Sequence, residues 1–137
     1  MRQINKLIVH CSATREGQDV TVETIRKWHV EGRGWSDIGY HFYIDIHGKI
    51  HKGRDIAKMG AHCKGYNRNS IGICYAGGVE QDGKTPADTR TFEQEEALLC
   101  VLRTLKAMYP DAAIHSHRDF ANKACPSFDA TEEYKYL

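Results

Sequence analysis

Apolar residues recur along the chain with two different periods, and each change of period marks an element. Leu7-Ile8-Val9-His10 is a short run rich in β-branched residues that ends in a polar one, as a buried strand does. Ser70-Ile71-Gly72-Ile73-Cys74-Tyr75 predicts another strand, closed by Ala76-Gly77-Gly78. Between them, Tyr40 to Asp45 and Lys49 to His51 flank His47-Gly48, where glycine supplies the positive φ that a hairpin turn needs. Helical spacing occurs twice. Val22, Ile25 and Trp28 follow Thr21, which can cap them, and Gly32 and Gly34 end the pattern. Thr91-Phe92-Glu93-Gln94 is a capping box, in which the threonine and glutamine side chains satisfy two free backbone donors. Leu98, Val101, Leu102 and Leu105 then form one apolar stripe, which should stop near Tyr109 because Pro110 disfavours helix before it. Gln81-Asp82-Gly83-Lys84 is a turn, and Ala113-Ile114-His115 predicts a last strand leading to His117. Strands and helices mixed in this way predict an α/β fold, a central sheet covered by two or three helices.

Length and composition narrow the class. At 137 residues the chain has the size of a single domain, residues 1–137, and no repeat, low-complexity tract or proline-rich linker divides it. The 41% hydrophobic and 27% charged content is ordinary for a soluble protein. No stretch approaches the ~20 apolar residues that cross a bilayer, so no membrane insertion is expected. The formal charge is +1 with both signs interspersed, which argues against nucleic acid as a ligand. Met1 to Lys6 leads into only Leu7-Ile8-Val9, too brief for a signal-peptide core, and the expected location is therefore cytoplasmic. Five cysteines without a C-x-x-C pair fit neither a disulfide framework nor a zinc ribbon, and most read as small buried hydrophobes.

Eight histidines are many for this length, but a histidine alone is most often a surface or satisfied core residue, so position must decide. His10 ends the first strand and His117 follows the last, so both can point at one end of the sheet, where α/β folds bind ligands. Cys125 lies in the loop after His117. Two imidazoles and one thiolate make a zinc site whose fourth position is open to water. Spacing alone leaves the plainer alternatives standing: a strand-end donor for His10, a loop cap for His117, a buried thiol beside Pro126 for Cys125. A cysteine hydrolase built on His10 and Cys11 is disfavoured, because neighbours on a strand face opposite ways.

Six segments carry a resemblance. Ile8-Val9-His10-Cys11-Ser12-Ala13-Thr14, Gly39-Tyr40-His41-Phe42, Gly53-Arg54-Asp55, Gly60-Ala61-His62, Gly65-Tyr66-Asn67-Arg68-Asn69-Ser70-Ile71-Gly72 and Lys123-Ala124-Cys125-Pro126-Ser127-Phe128-Asp129 stand in the order found in the type 2 N-acetylmuramoyl-L-alanine amidases. Together they cover nearly the whole chain, which resembles the short bacteriophage amidases closely and the animal peptidoglycan recognition proteins more loosely. The resemblance implies a central mixed β-sheet flanked by helices and an amidase that cuts peptidoglycan between the lactyl group and the first L-alanine. It also implies Zn2+ as cofactor, held by His10, His117 and Cys125, with Tyr40 and Lys123 as the catalytic pair. Lys123 is expected to stabilise the oxyanion. Tyr40 is expected to relay a proton, its ordinary pKa near 10 being lowered by the metal. His62 and Asn67 match segments that edge the substrate groove, with turn-fixing as the alternative. Asp119 either orients a ligand histidine or is a solvated loop charge. No position matches the glutamate that some members use as general base. A monomer is expected, and a regulatory host protein is an added partner that some phage amidases imply.

Overall fold

The two apolar runs that read as buried strands lie side by side at the centre of one sheet. The computed structural model describes residues 2–137. Along it run β1 (Lys6–Cys11), β2 (Thr14–Arg15), α1 (Val22–Lys27), β3 (Phe42–Ile44), β4 (Ile50–Lys52), β5 (Ser70–Tyr75), β6 (Gly78–Val79), α2 (Phe92–Met108), β7 (Ala113–Ser116) and α3 (Ala130–Glu133). Five strands pair in the order β4-β3-β5-β1-β7, and β2 with β6 forms a separate small ribbon. β1 runs parallel to β5 and β7, β3 runs parallel to β5, and β4 returns antiparallel to β3, so the sheet is mixed. Parallel strands are covered on both faces and need continuous apolar runs, and β5 is buried at every position.

Strand alternation sorts the side chains between two cores. Leu7, Val9, Ile71 and Ile73 pack against Leu98, Leu102 and Leu105 of α2 on one face. On the other, Tyr43 and Cys74 pack against Val22 and Ile25 of α1 and against Ile38. The register His10↔Cys74 and Ile8↔Gly72 turns His10 towards this second face.

Local chemistry sets the element ends. Thr91 Oγ1 accepts from Gln94 N at 3.1 Å while Gln94 Oε1 accepts from Thr91 N at 2.9 Å, completing the capping box. Gln94 Nε2 also donates to the carbonyls of Asp45 and Ala76, tying the start of α2 to the ends of β3 and β5. The hairpin turns at Gly48 (φ +82), where a Cβ would lie 2.7 Å from Glu93. Its strands are shorter than expected at the turn, where the Asp45 carboxylate accepts from His47 N, Lys49 N and His51 Nε2 and shapes the loop.

α1 departs from expectation. Thr21 caps it, accepting from Thr24 N at 3.2 Å, but the helix stops at Lys27 and widens into a single π turn, Trp28–Gly32. Trp28 is 45% exposed and joins neither core. Steps of three residues drift around a helix, which leaves Trp28 about 120° from Val22. Among the described residues no helix is long and apolar enough to cross a membrane.

Candidate metal centre

Burial removes His10 from water and leaves its nitrogens to be satisfied by neighbours. The residue is 1% exposed, and its Nε2 lies 2.8 Å from His62 Nδ1. Its ring centroid is 4.4 Å from that of His117 and 5.1 Å from that of Tyr40. His117 follows β7 at once and opens a 3-10 turn, His117–Asp119. Its Nδ1 is buried without any hydrogen-bond partner, a state that costs ~1–3 kcal/mol for a neutral polar group unless something occupies it. The loop after His117 folds back on itself, since Arg118 N donates to the Cys125 carbonyl at 2.8 Å. Cys11 N then donates to Cys125 Sγ at 3.2 Å and holds the sulfur against β1. One donor atom from each of His10, His117 and Cys125 lies within 4.8 Å of the others.

These three residues therefore come together from β1, the end of β7 and the loop beyond. They meet beside the C-terminal ends of β1 and β7, on the face towards which His10 is turned. The period of two aims His10 at that face, and residues preceding β3 and β5, Tyr40, Ala61 to Gly65 and Asn67, help build the cleft above it.

The donor set suits a cation. Burial, then the charges of His62, His117, Lys123 and His41, hold His10 well below its ordinary pKa. Burial and then Lys123 lower that of His117 as well. Both imidazoles are thus neutral at pH 7, each with a lone pair to offer. The hydrogen bond with Cys11 and then burial push the Cys125 thiol up, so a cation is what would draw out its thiolate.

A cleft of about 770 Å3 opens above this centre. Arg33, Lys64 and Lys123 line it together with Trp35 and Phe120, and no carboxylate does. Lys123 is exposed at its edge. Tyr40 is half-buried in the wall, and its phenol is raised well above its ordinary pKa by burial, then by the nearby sulfurs of Cys74, Cys125 and Cys11. The expectation of a lowered pKa is not what the protein alone provides: these surroundings keep the O–H protonated, a donor at neutral pH.

His62 and Asn67 both line the cleft. Asn67 Oδ1 accepts from the backbone N of His62 and of Cys63, both at 2.9 Å, and so closes their loop. Asp119 does not orient a ligand histidine; it is exposed, as the alternative reading has it. Its carboxylate caps the turn, accepting from Ser116 N at 3.2 Å and from the Thr131 hydroxyl, while His117 Nδ1 stays bare. A carboxylate at the third position of a turn reaches back to the capping residue, away from the imidazole. His29, Arg33, Trp35 and Phe120 were not singled out by any local pattern. His29 Nδ1 accepts from Gly39 N at 2.9 Å, and its ring lies 4.7 Å from Trp35 and 5.4 Å from Tyr40.

Known proteins resemble this chain in sequence and in fold. The sequence pattern of the family described as N-acetylmuramoyl-L-alanine amidase matches residues 1–128. The endolysin of Enterobacteria phage T3 is 49% identical over 123 residues, 90% of this chain and 80% of that protein. Among solved structures, N-acetylmuramoyl-L-alanine amidase LysC from Clostridium intestinale URNW is similar with a TM-score of 0.81 at 29% identity, over 96% of this chain and 82% of that one. A complex of the ectodomains of peptidoglycan recognition proteins LCa and LCx with tracheal cytotoxin shares the fold, with a TM-score of 0.82 at 24% identity over 100% of this chain and 84% of that one.

Proposed function

The chain belongs to the N-acetylmuramoyl-L-alanine amidase family, a family of peptidoglycan amidases, and on that premise we propose that it is a zinc hydrolase cutting the bond between the lactyl group and L-alanine. What carries this is the meeting of His10, His117 and Cys125 directly beneath a cleft, with the buried His117 Nδ1 unpartnered. Two neutral imidazoles and a thiolate are the donor set of a tetrahedral zinc site with one open position. Held there, Zn2+ would supply a Lewis acid for the lactyl carbonyl and a more acidic water for the attack.

The chain's own groups do the rest. Lys123 brings an ammonium to the edge of the cleft, where it offsets the negative charge that grows on the carbonyl oxygen. Tyr40, kept protonated, has an O–H to give to the departing alanine nitrogen. Arg33 and Lys64 draw in the carboxylates of a stem peptide, and Trp35 and Phe120 offer apolar wall to the rest of the substrate.

Digestion of purified peptidoglycan tests the assignment of the bond. New alanine amino ends without new reducing sugar ends are expected. Reducing ends in proportion to solubilisation would mean that a glycosidic bond is cut, chemistry that normally needs paired carboxylates. Binding to the wall without either product would make the chain a recognition module.

A further inference from the structure

His62 edges the cleft, yet the fold spends unusual effort on placing its ring. A Cβ on Gly72 would meet His62 Cγ at 2.6 Å and Nδ1 at 2.7 Å, and one on Gly60 would meet Cδ2 at 2.8 Å. All three separations are shorter than real contacts allow, so the imidazole sits in a slot that needs glycine at both positions. The backbone beneath it is pinned by Asn67. Both ring nitrogens are then spent inside the protein: Nδ1 lies 2.8 Å from His10 Nε2, and Nε2 lies 3.2 Å from the hydroxyl of the fully buried Ser70. Neither is left for a substrate.

We propose that His62 is a positioning residue that fixes the tautomer and ring orientation of His10 through the chain Ser70, His62, His10, a role that rests on His10 being a metal ligand. With its Nε2 facing His62, His10 has only Nδ1 to offer a metal. A ligating nitrogen gives its lone pair, so the His10 proton sits on Nε2 and is donated to His62 Nδ1. His62 must then accept at Nδ1, carry its own proton on Nε2 and donate it to Ser70 Oγ. Each tautomer fixes the next. Ligating histidines commonly donate to a carboxylate, which makes them more electron-rich. A neutral imidazole as acceptor orients His10 and would leave a bound metal a stronger Lewis acid than a carboxylate acceptor would.

The test compares His62→Phe, which keeps a ring in the slot without nitrogens, with His62→Asn, whose Oδ1 can still accept from His10. Zinc affinity is measured by competition with a chromophoric chelator, beside kcat and KM on peptidoglycan, with circular dichroism to confirm folding. His62→Phe is expected to weaken zinc ~10–100-fold and to lower kcat with KM unchanged, while His62→Asn recovers to within ~3-fold of wild-type affinity. If the phenylalanine variant does not fold, His62→Ala takes its place in the same comparison. Unchanged zinc affinity with a raised KM would overturn the proposal and make His62 a substrate contact, and equal losses in the two variants would also overturn it. Cys125→Ala serves as the reference. Zinc bound by Cys125→Ala as tightly as by wild type would show that the ligand set itself is wrong, whereas loss there without loss at His62 defeats only the positioning role.

Discussion

Replacing Lys123 with alanine is predicted to separate metal binding from rate. Its charge is among the causes that lower the proton affinity of His10 and His117, and the same field opposes a bound cation. Removing it should therefore leave zinc at one per chain, held as tightly as before or slightly more so. The rate should respond in the other direction. Unit charges about 4 Å apart interact by ~1 kcal/mol in water and ~4 kcal/mol at an effective dielectric constant of 20. At ~1.4 kcal/mol per tenfold in rate, those limits correspond to ~5-fold and ~10³-fold losses. Lys123 is exposed before substrate binds, and a glycan strand laid in the cleft would exclude much of the water, so a value between the limits, ~10²-fold, is expected. Initial release of alanine amino ends, zinc by elemental analysis and circular dichroism on the same samples make the assay. Full rate in the variant would reduce Lys123 to a solvated surface cation. Loss of zinc along with rate would show that it holds the site together and does not act on the reaction.

Other expectations follow from the cleft wall, the hairpin and the core. Arg33→Ala and Lys64→Ala should each raise KM ~2–5-fold with kcat little changed, and the effect should fade at high salt, because exposed charges are screened. Equal KM values at low salt would show that neither meets the substrate. At Asp45, burial alone would raise the carboxyl, but bonds from His51 and from the amides of Lys49 and His47 outweigh it and leave the pKa below 3.8. A group depressed in the fold stabilises above its unfolded pKa, and that share is lost as pH falls through the lower folded value. Urea stability should thus decline below pH 3.8, and less steeply in Asp45→Asn; parallel declines would refute the assignment. Leu102→Ala removes a fully buried side chain between α2 and the sheet and should cost ~2–5 kcal/mol in urea unfolding, a cost below ~1 kcal/mol meaning that this face is not packed as described.

Legibility in the sequence followed the length of the pattern. β5 spans the six residues read as a strand, and α2 begins at its capping box and stops before Pro110, because both are long enough for a period to repeat. α3 and the β2–β6 ribbon were not read, since four residues or two give no period to detect. Trp28 matched a three-residue spacing too short to expose its drift around the helix. His10, His117 and Cys125 were legible as residue types suited to a metal, but the face of the sheet on which they meet depends on the β1–β5 register. The contacts of Asp119 and His62 were not legible for a common reason. What each touches is decided by residues distant in sequence, Thr131 for one and Gly72 with His10 for the other.

Titration of metal-free protein with Zn2+, following cleavage of the lactyl-alanine bond at each addition, tests the central claim most directly. Activity should be absent at the start, rise in proportion to added zinc and break at one equivalent per chain, with no such rise in folded Cys125→Ala. Full activity before any metal is added, or an unchanged titration in that variant, would contradict the account.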